Sequence, residues 1–167
     1  MDEMTTMAER ARQRVRPIVD ACEWPSVDVD VPAAVGIAMR FDPDICVAMF
    51  MRGTSNRCII TAGAMRSIVG DELVLLNACN DHNFDDLTAR AFLHRSDLHG
   101  MDVLVQESLP ITVMEQEPAF AAWLVQTLVS QSLPAMRARL TAAGVSGEPY
   151  VWGAGDDITR LAAMSVA

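Results

Sequence analysis

The stretch Gly70–Pro110, GDELVLLNACNDHNFDDLTARAFLHRSDLHGMDVLVQESLP, changes its hydrophobic period part-way along. Its first part predicts a helix over Asp71–Asn83, because five residues recur at spacings of three and four: Leu73, Leu76, Ala78, Cys79 and His82. Two runs with the period of a strand follow, Thr88–Arg95 and Met101–Glu107, and a polar turn separates them. The stretch therefore predicts a helix followed by a β-hairpin.

Three more strand-like runs precede this stretch. They are rich in apolar and β-branched residues and are separated by turn residues: Val35–Phe41, Ile45–Arg52 and Arg57–Ala62. We expect three antiparallel strands here, and we interpret Pro25–Pro32 as a connector before them. With helices on either side, the predicted fold is α+β. Its antiparallel sheet of about five strands packs with helices in the order α-β-β-β-α-β-β-α.

Both faces of this sheet are predicted to be apolar. If the second hairpin pairs Arg52 with Arg57, one face carries Phe50 and Ile59, and the later hairpin adds Phe92 and Leu104. An antiparallel sheet with one wet face alternates apolar and polar residues. We therefore expect a cover on this second face, which is a layer of helix, another subunit or a peptide ligand.

Apolar residues at spacings of three and four predict an amphipathic helix at the start of the chain: Met4, Met7, Ala11, Val15, Ile18 and Cys22. Pro17 should kink or split this helix, because proline removes a backbone donor and crowds the preceding turn. The apolar stripe either docks on the domain's own core or accepts a partner.

A long helix is predicted to open at Glu115–Pro118. Its inner face should hold five residues: Phe120, Trp123, Leu124, Thr127 and Leu128. A break with a new N-cap is expected at Ser132 and Pro134, so that Leu133–Ala143 is a second helical piece or a kinked continuation.

The domain organisation follows from these elements. We interpret residues 1–145 as a single chaperone-like α+β domain and residues 146–167 as a tail. The tail either docks through Tyr150 and Trp152 or stays mobile.

The charge of the chain restricts its partners. The formal net charge is −9, which argues against nucleic acid and against an anionic membrane surface, since both need a basic face. All 13 basic residues are arginine. Lysine-dependent chemistry is therefore excluded, including the phosphate-binding lysine of a P-loop and the Schiff-base lysine that holds pyridoxal phosphate.

No catalytic constellation, metal site or cofactor site is predicted. Cys79 and His82 have a short spacing, but the other candidate ligands are scattered singly: Cys22, Cys46, Cys58, His94 and His99. Gly153-Ala154-Gly155 lacks the third glycine and the context of a dinucleotide loop. The N-terminus is not that of a secretory signal, and no apolar run is long enough to insert into a membrane. We therefore expect a cytoplasmic protein with reduced cysteines.

The order of elements resembles the YbjN-like family, whose fold is shared with the small chaperones of type III secretion. The residues that carry the resemblance are Leu75–Asn80 with its Asn-x-x-Asn, Ala89–Leu93, Leu109-Pro110 and the helix containing Pro118. The resemblance covers about Val35–Leu140. It implies a non-enzymatic, dimeric domain that binds polypeptide segments or acts as an adaptor in the cytoplasm.

The predicted function is therefore protein or peptide binding by a homodimer, without chemistry. Six residues are the predicted partner contacts: Val15, Ile18, Phe50, Ile59, Phe92 and Leu104. One alternative is a self-associating protein whose apolar face is used up in its own oligomer. Another is a small-molecule-binding protein or cryptic enzyme with a pocket under the long helix, near His82, Cys79 and Trp123.

Overall fold

The computed structural model of the chain describes residues 3–53, 56–153 and 156–167, with side chains from Met7 onward. The side chain of Met4 and residues 154 and 155 of the Gly153–Gly155 motif lie outside the described parts. The helices are α1 (Glu3–Ala21), α2 (Glu72–Asp85), α3 (Ile111–Gln116), α4 (Pro118–Thr127), α5 (Leu133–Ala142) and α6 (Asp157–Ser165). The strands are β1 (Ser26–Val31), β2 (Ala34–Phe41), β3 (Asp44–Met51), β4 (Arg57–Val69), β5 (Arg90–Ser96), β6 (Gly100–Pro110) and β7 (Ser146–Glu148).

An antiparallel sheet organises these elements. Its strand order is β1-β2-β3-β4-β6-β5, and the short strand β7 pairs with the C-terminal end of β4. The α+β prediction is confirmed, but the predicted count of five strands is too low. The predicted connector contains β1, because Val29 and Val31 alternate with Asp28 and Asp30 at the period of a strand. The flanking prolines only bound this strand and do not interrupt it.

The predicted register between β3 and β4 is wrong by one residue. Phe50 pairs with Cys58, and Met49 pairs with Ile59. Because side chains alternate along a strand, this shift puts Phe50 and Ile59 on opposite faces of the sheet. Both faces of these strands are apolar, so the hydrophobic pattern did not distinguish the two registers.

One face of the sheet, the helical face, is covered by α1 to α5. Part of the predicted stripe of α1 docks here. Ala11 and Val15 are buried against the sheet and Ile18 packs against them, whereas Met7 is 47% exposed. α1 is not split at Pro17, since a single helix runs from Glu3 to Ala21.

The helices after β6 differ from the prediction in two ways. The chain is already helical from Ile111, in α3, and α4 begins at Pro118. Between α4 and α5 lies a π-helical turn, Leu128–Ser132, rather than a break with a new cap. Leu124, Thr127 and Leu128 are buried, but Phe120 and Trp123 are exposed, because the apolar side chains of α4 are too many for its single buried face.

The opposite face of the sheet, the tail face, is covered by the C-terminal segment. Leu161, Ala162 and Met164 of α6 form a hydrophobic cluster on this face with strand residues that include Ile45 and Leu104. Tyr150 is buried over Gly63, where a Cβ atom would meet the tyrosine ring at 2.2 Å. Of the three predicted kinds of cover, the structure therefore provides a helix of the same chain.

Candidate functional site

The six predicted contact residues fall into two groups. Val15, Phe50 and Leu104 are 0% exposed and belong to the core of this fold. Ile18, Ile59 and Phe92 are half-buried. The structure does not bring the six together, because Val15, Ile18 and Phe50 lie in the cluster on the helical face, whereas Phe92 and Leu104 lie in the cluster on the tail face.

The most exposed apolar surface on a helix is instead on α2. Leu73, Leu76 and Phe84 are exposed to 63%, 41% and 86%, and we call these three residues the α2 stripe. They project from one side of the helix, and its other side is buried through Leu75, Ala78, Cys79 and His82. The sequence placed Leu73 and Leu76 on one face with Ala78, Cys79 and His82, whereas the two sets lie on opposite sides.

α2 is held firmly beside the edge strand β5. The side-chain amide of Asn83 donates to the carbonyl oxygen of Ala91 at 2.8 Å, and its oxygen accepts from the amide N–H of Ala91 at 2.6 Å. Arg95 of β5 forms an ion pair with Glu72. The Asn83 side chain thus makes the two backbone hydrogen bonds at Ala91 that a neighbouring strand would make, and it covers part of the sheet edge.

A polar cluster lies where α2, the loop after it and the π-helical turn meet. The Asp86 carboxylate accepts from Ser132 Oγ at 2.5 Å and from Thr88 Oγ1 at 2.7 Å. Burial would raise the pKa of Asp86, but these hydrogen bonds outweigh it, and the net shift is downward. His82 is 1% exposed, and its Nε2 lies 3.4 Å from Asp86 Oδ2 without a hydrogen-bond partner.

This cluster lines an open cavity of about 430 Å³. Burial lowers the pKa of His82, so its imidazole is neutral at pH 7. The hydroxyl of Ser132 donates to the Asp86 carboxylate, whose Oδ2 atom also lies near Nε2 of His82. The cluster therefore joins α2 to the π-helical turn. A pocket was predicted near His82, Cys79 and Trp123. His82 lines this cavity, and Cys79 and Trp123 do not.

The surroundings of the four cysteines disfavour the reactive thiolate form. The four thiols are free, and burial raises the pKa of each, to about 11 for Cys79. Protonated thiols are poor nucleophiles and poor metal ligands. Among the residues that the structure describes, no three histidine, cysteine or acidic side chains are grouped so that they could hold a metal ion.

A second polar cluster fixes the C-terminal segment on the tail face. Asp102 of β6 is 1% exposed and accepts from Tyr150 Oη at 2.5 Å and from Arg160 Nε at 2.8 Å. The amide N–H of Ser67 also donates to Asp102, at 2.9 Å. Burial raises the pKa of Tyr150, and the hydrogen bond to Asp102 raises it further, so the hydroxyl stays a donor.

Comparison with known proteins identifies the fold. No family model matches the chain, and no curated protein matches it. A solved structure of YbjN from E. coli matches with a TM-score of 0.58 and 19% sequence identity, covering 81% of this chain and 93% of YbjN. The chain has the YbjN fold. YbjN itself is described as a proposed transcription regulator.

The YbjN fold was the one implied by the resemblance in the sequence. Because the sequence identity is only 19%, the match shows a shared fold and assigns no role to any residue of this chain. Within the parts of the chain that the structure describes, no helix is long and apolar enough to span a membrane.

Proposed function

We propose that this chain is a non-enzymatic, cytoplasmic protein-binding domain that acts as a homodimer through the α2 stripe. The observation that carries the proposal is the exposure of Leu73, Leu76 and Phe84 on one side of a helix whose other side is packed. Single exposed apolar residues are common on protein surfaces, but several large ones on one side of a helix mark an interaction site. Fully burying each such side chain contributes roughly 1.5–3 kcal/mol.

A second copy of the chain is the occupant that fits this stripe. Leu76 and Phe84 are each four residues from Asn80, which is exposed on the same side of α2. Two copies of α2 packed antiparallel around a twofold axis at Asn80 would therefore set each Phe84 against the Leu76 of the other copy. Self-complementary surfaces of this kind form isologous dimers. An asparagine at the axis can fix the register of two helices, as in coiled coils.

The adaptor role extends this proposal to other proteins. The acidic charge of the chain disfavours direct contact with DNA, so a regulatory role like the one proposed for YbjN would act through protein contacts. The free thiols support a reducing compartment. The absence of lysine, which excludes lysine-dependent chemistry, is consistent with a domain that does no catalysis.

The test is the mass of the chain in solution by light scattering after size exclusion, for the wild type and two variants. Phe84→Asp places a charge in the stripe, and we expect it to convert a dimer to a monomer without loss of helical circular dichroism. Leu98→Asp is the matched control, because Leu98 is 88% exposed but lies in the turn between β5 and β6. A monomeric wild type, or a Phe84→Asp variant that stays dimeric, would refute the proposed interface.

A second candidate function rests on the cavity beside His82, whose Nε2 has no partner. A small molecule there would have to form a hydrogen bond with His82 and tolerate the Arg139–Asp85 ion pair that lines the cavity. Native mass spectrometry of the purified chain distinguishes the candidates. A stoichiometric adduct of low mass that is lost in His82→Leu would favour the small-molecule function.

A further inference from the structure

We propose that the cavity between α6 and β5 is a binding site for a small organic ammonium, a molecule that joins a protonated amine to an apolar body. α6 stays in place and forms one wall of this site. The site lies on the tail face, away from the α2 stripe, so the inference goes beyond the proposed protein-binding function and does not depend on it.

The cavity exists because the sheet extends past the helix that covers it. α6 packs mainly on β1, β3 and β4, whereas β5 is the edge strand beyond β6. His94 and Ser96 of β5 and Thr159 and Ala163 of α6 line the space between them. Its volume is about 430 Å³, and small-molecule sites usually have roughly 300–1,000 Å³. The cavity therefore has the size of a ligand site.

One wall of the cavity is apolar. Ala163 is exposed on α6, and its methyl side chain leaves the space in front of the helix open. Met164 lines the same space and is 7% exposed. An apolar body placed against these two side chains would be removed from water, which favours its binding.

Arg160 lines the cavity but offers no free positive charge to a ligand. Its Nε and Nη2 donate to the buried carboxylate of Asp102, at 2.8 Å and 2.5 Å. Nη2 also donates to the carbonyl oxygen of His99 at 3.3 Å, and Nη1 donates to Ser67 Oγ at 3.4 Å. These bonds use four of the five N–H donors of a guanidinium. Because Asp102 compensates the charge of Arg160, an anionic ligand gains little from it.

Asp156 gives the lining a negative charge instead. It is exposed at the start of α6, and its side chain does not cap the helix. Within the described ranges, Asp156 forms no ion pair. The chain as a whole has a formal net charge of −9, and such a field raises the local concentration of cations. The site therefore favours a cationic ligand over an anionic one.

His94 adds a hydrogen-bond acceptor. Its Nδ1 atom is buried and, among the residues that the structure describes, has no hydrogen-bond partner. Buried polar atoms are nearly always hydrogen-bonded, and an orphaned N–H donor is rarer than an orphaned acceptor. We therefore assign Nδ1 as the unprotonated nitrogen of the ring. A ligand N–H that reaches this atom would satisfy it, and an ammonium has three such donors to share among the acceptors of the lining.

The lining also sets the length of the ligand. Asp156 and Ala163 are seven residues apart on α6, which is two helical turns or about 10 Å. The preferred ligand consequently carries its ammonium at one end and an apolar body that reaches up to about 10 Å from it.

The test is isothermal titration calorimetry of the wild-type chain with three probes of one skeleton, 4-phenylbutylamine, 4-phenylbutan-1-ol and 4-phenylbutanoate. We expect the amine to bind at least about tenfold more tightly than the alcohol, because a charge-assisted hydrogen bond replaces a neutral one. The carboxylate should bind more weakly than the alcohol. An amine that shows no saturable binding, or that binds no more tightly than the alcohol or the carboxylate, overturns the proposal.

Two variants place the amine in this cavity. Asp156→Asn should weaken binding of the amine about tenfold and leave that of the alcohol unchanged. Ala163→Leu fills the space in front of α6 and should weaken both probes at least about tenfold, whereas Ala119→Leu, at an exposed position of α4, is the matched control. Both substituted positions are exposed, so the fold should tolerate them. Amine binding that neither variant changes would overturn the proposal.

The same titration distinguishes this site from the two discussed above. Phe84→Asp should bind the amine normally whatever its oligomeric state, so that failure of the proposed dimer and failure of this site are seen separately. Loss of amine binding in His82→Leu, with normal binding in Ala163→Leu, would put the amine in the cavity beside His82 and overturn the proposal.

Discussion

The contact between Gly63 and Tyr150 allows a quantitative test of how the C-terminal segment is held. A Cβ atom on Gly63 would lie 2.2, 2.5 and 2.7 Å from three ring atoms of Tyr150, whereas ordinary contacts begin at 3.4 Å. In Gly63→Ala the ring must therefore retreat by about 1 Å. Tyr150 is 2% exposed and bonded to Asp102, so it has no free space into which it can move.

The magnitude follows from two costs. Overpacking a well-packed core destabilises by about 1–3 kcal/mol. Weakening the hydrogen bond from Tyr150 to the buried Asp102 adds about 1–3 kcal/mol. We expect Gly63→Ala to lower the free energy of unfolding by about 2–6 kcal/mol in total. An alanine in an unconstrained strand position would instead stabilise slightly.

Urea denaturation followed by circular dichroism measures this difference. Gly70→Ala is the matched control, because a Cβ there meets nothing within 4 Å. In a chain that already carries Tyr150→Ala, no ring is present to clash, so Gly63→Ala should change the free energy of unfolding little. The double-mutant cycle should therefore give a coupling energy between positions 63 and 150 above about 1.5 kcal/mol. If Gly63→Ala and Gly70→Ala unfold at the same urea concentration, Tyr150 does not require the glycine and the reasoning is wrong.

Three other predictions concern the helical side of the molecule. Burial lowers the pKa of His82 in the folded state, where Asp86, Asp85 and Arg139 are its charged neighbours. As the pH falls through 6.5, His82 is therefore protonated in the unfolded state before it is protonated in the folded state. Stability should therefore fall as the pH drops below about 6.5, and His82→Gln should flatten this fall in urea titrations. Asn83→Ala uncovers the edge of β5, and we expect it to cost about 1–3 kcal/mol of stability and to raise the rate of aggregation measured by light scattering. Asn77→Ala, at an exposed position of the same helix, is the control. Cys22 is the half-buried cysteine and should react first with a thiol reagent in the folded chain, as mass spectrometry of the labelled peptides would show.

The local hydrophobic pattern predicted most of the helices and strands. It failed where two different structures, such as two strand registers, have the same hydrophobic pattern. The change of period in Gly70–Pro110 correctly placed α2, β5 and β6. The register of β3 and β4 was wrong because a shift of one residue leaves apolar side chains on both faces. β1 was missed because the prolines on either side of it outweighed its alternation of valine and aspartate.

The candidate site was harder to predict than the fold. An exposed leucine in a helix has the same period as a buried one, so Leu73 and Leu76 looked like core residues. Asp102 gave no signal at all, because its partners Tyr150 and Arg160 are distant in the chain. Only tertiary structure brings these residues together.

The order in which the chain is synthesised gives the buried Asp102 a further consequence. Arg160 follows Asp102 by 58 residues. At the usual rate of translation, Asp102 emerges from the ribosome roughly 3–12 s before its counter-ion. During that interval a bare carboxylate and an apolar surface face the cell together. The nascent chain is therefore most vulnerable to aggregation, and most in need of a chaperone, in the period after β6 is made and before α6 can dock.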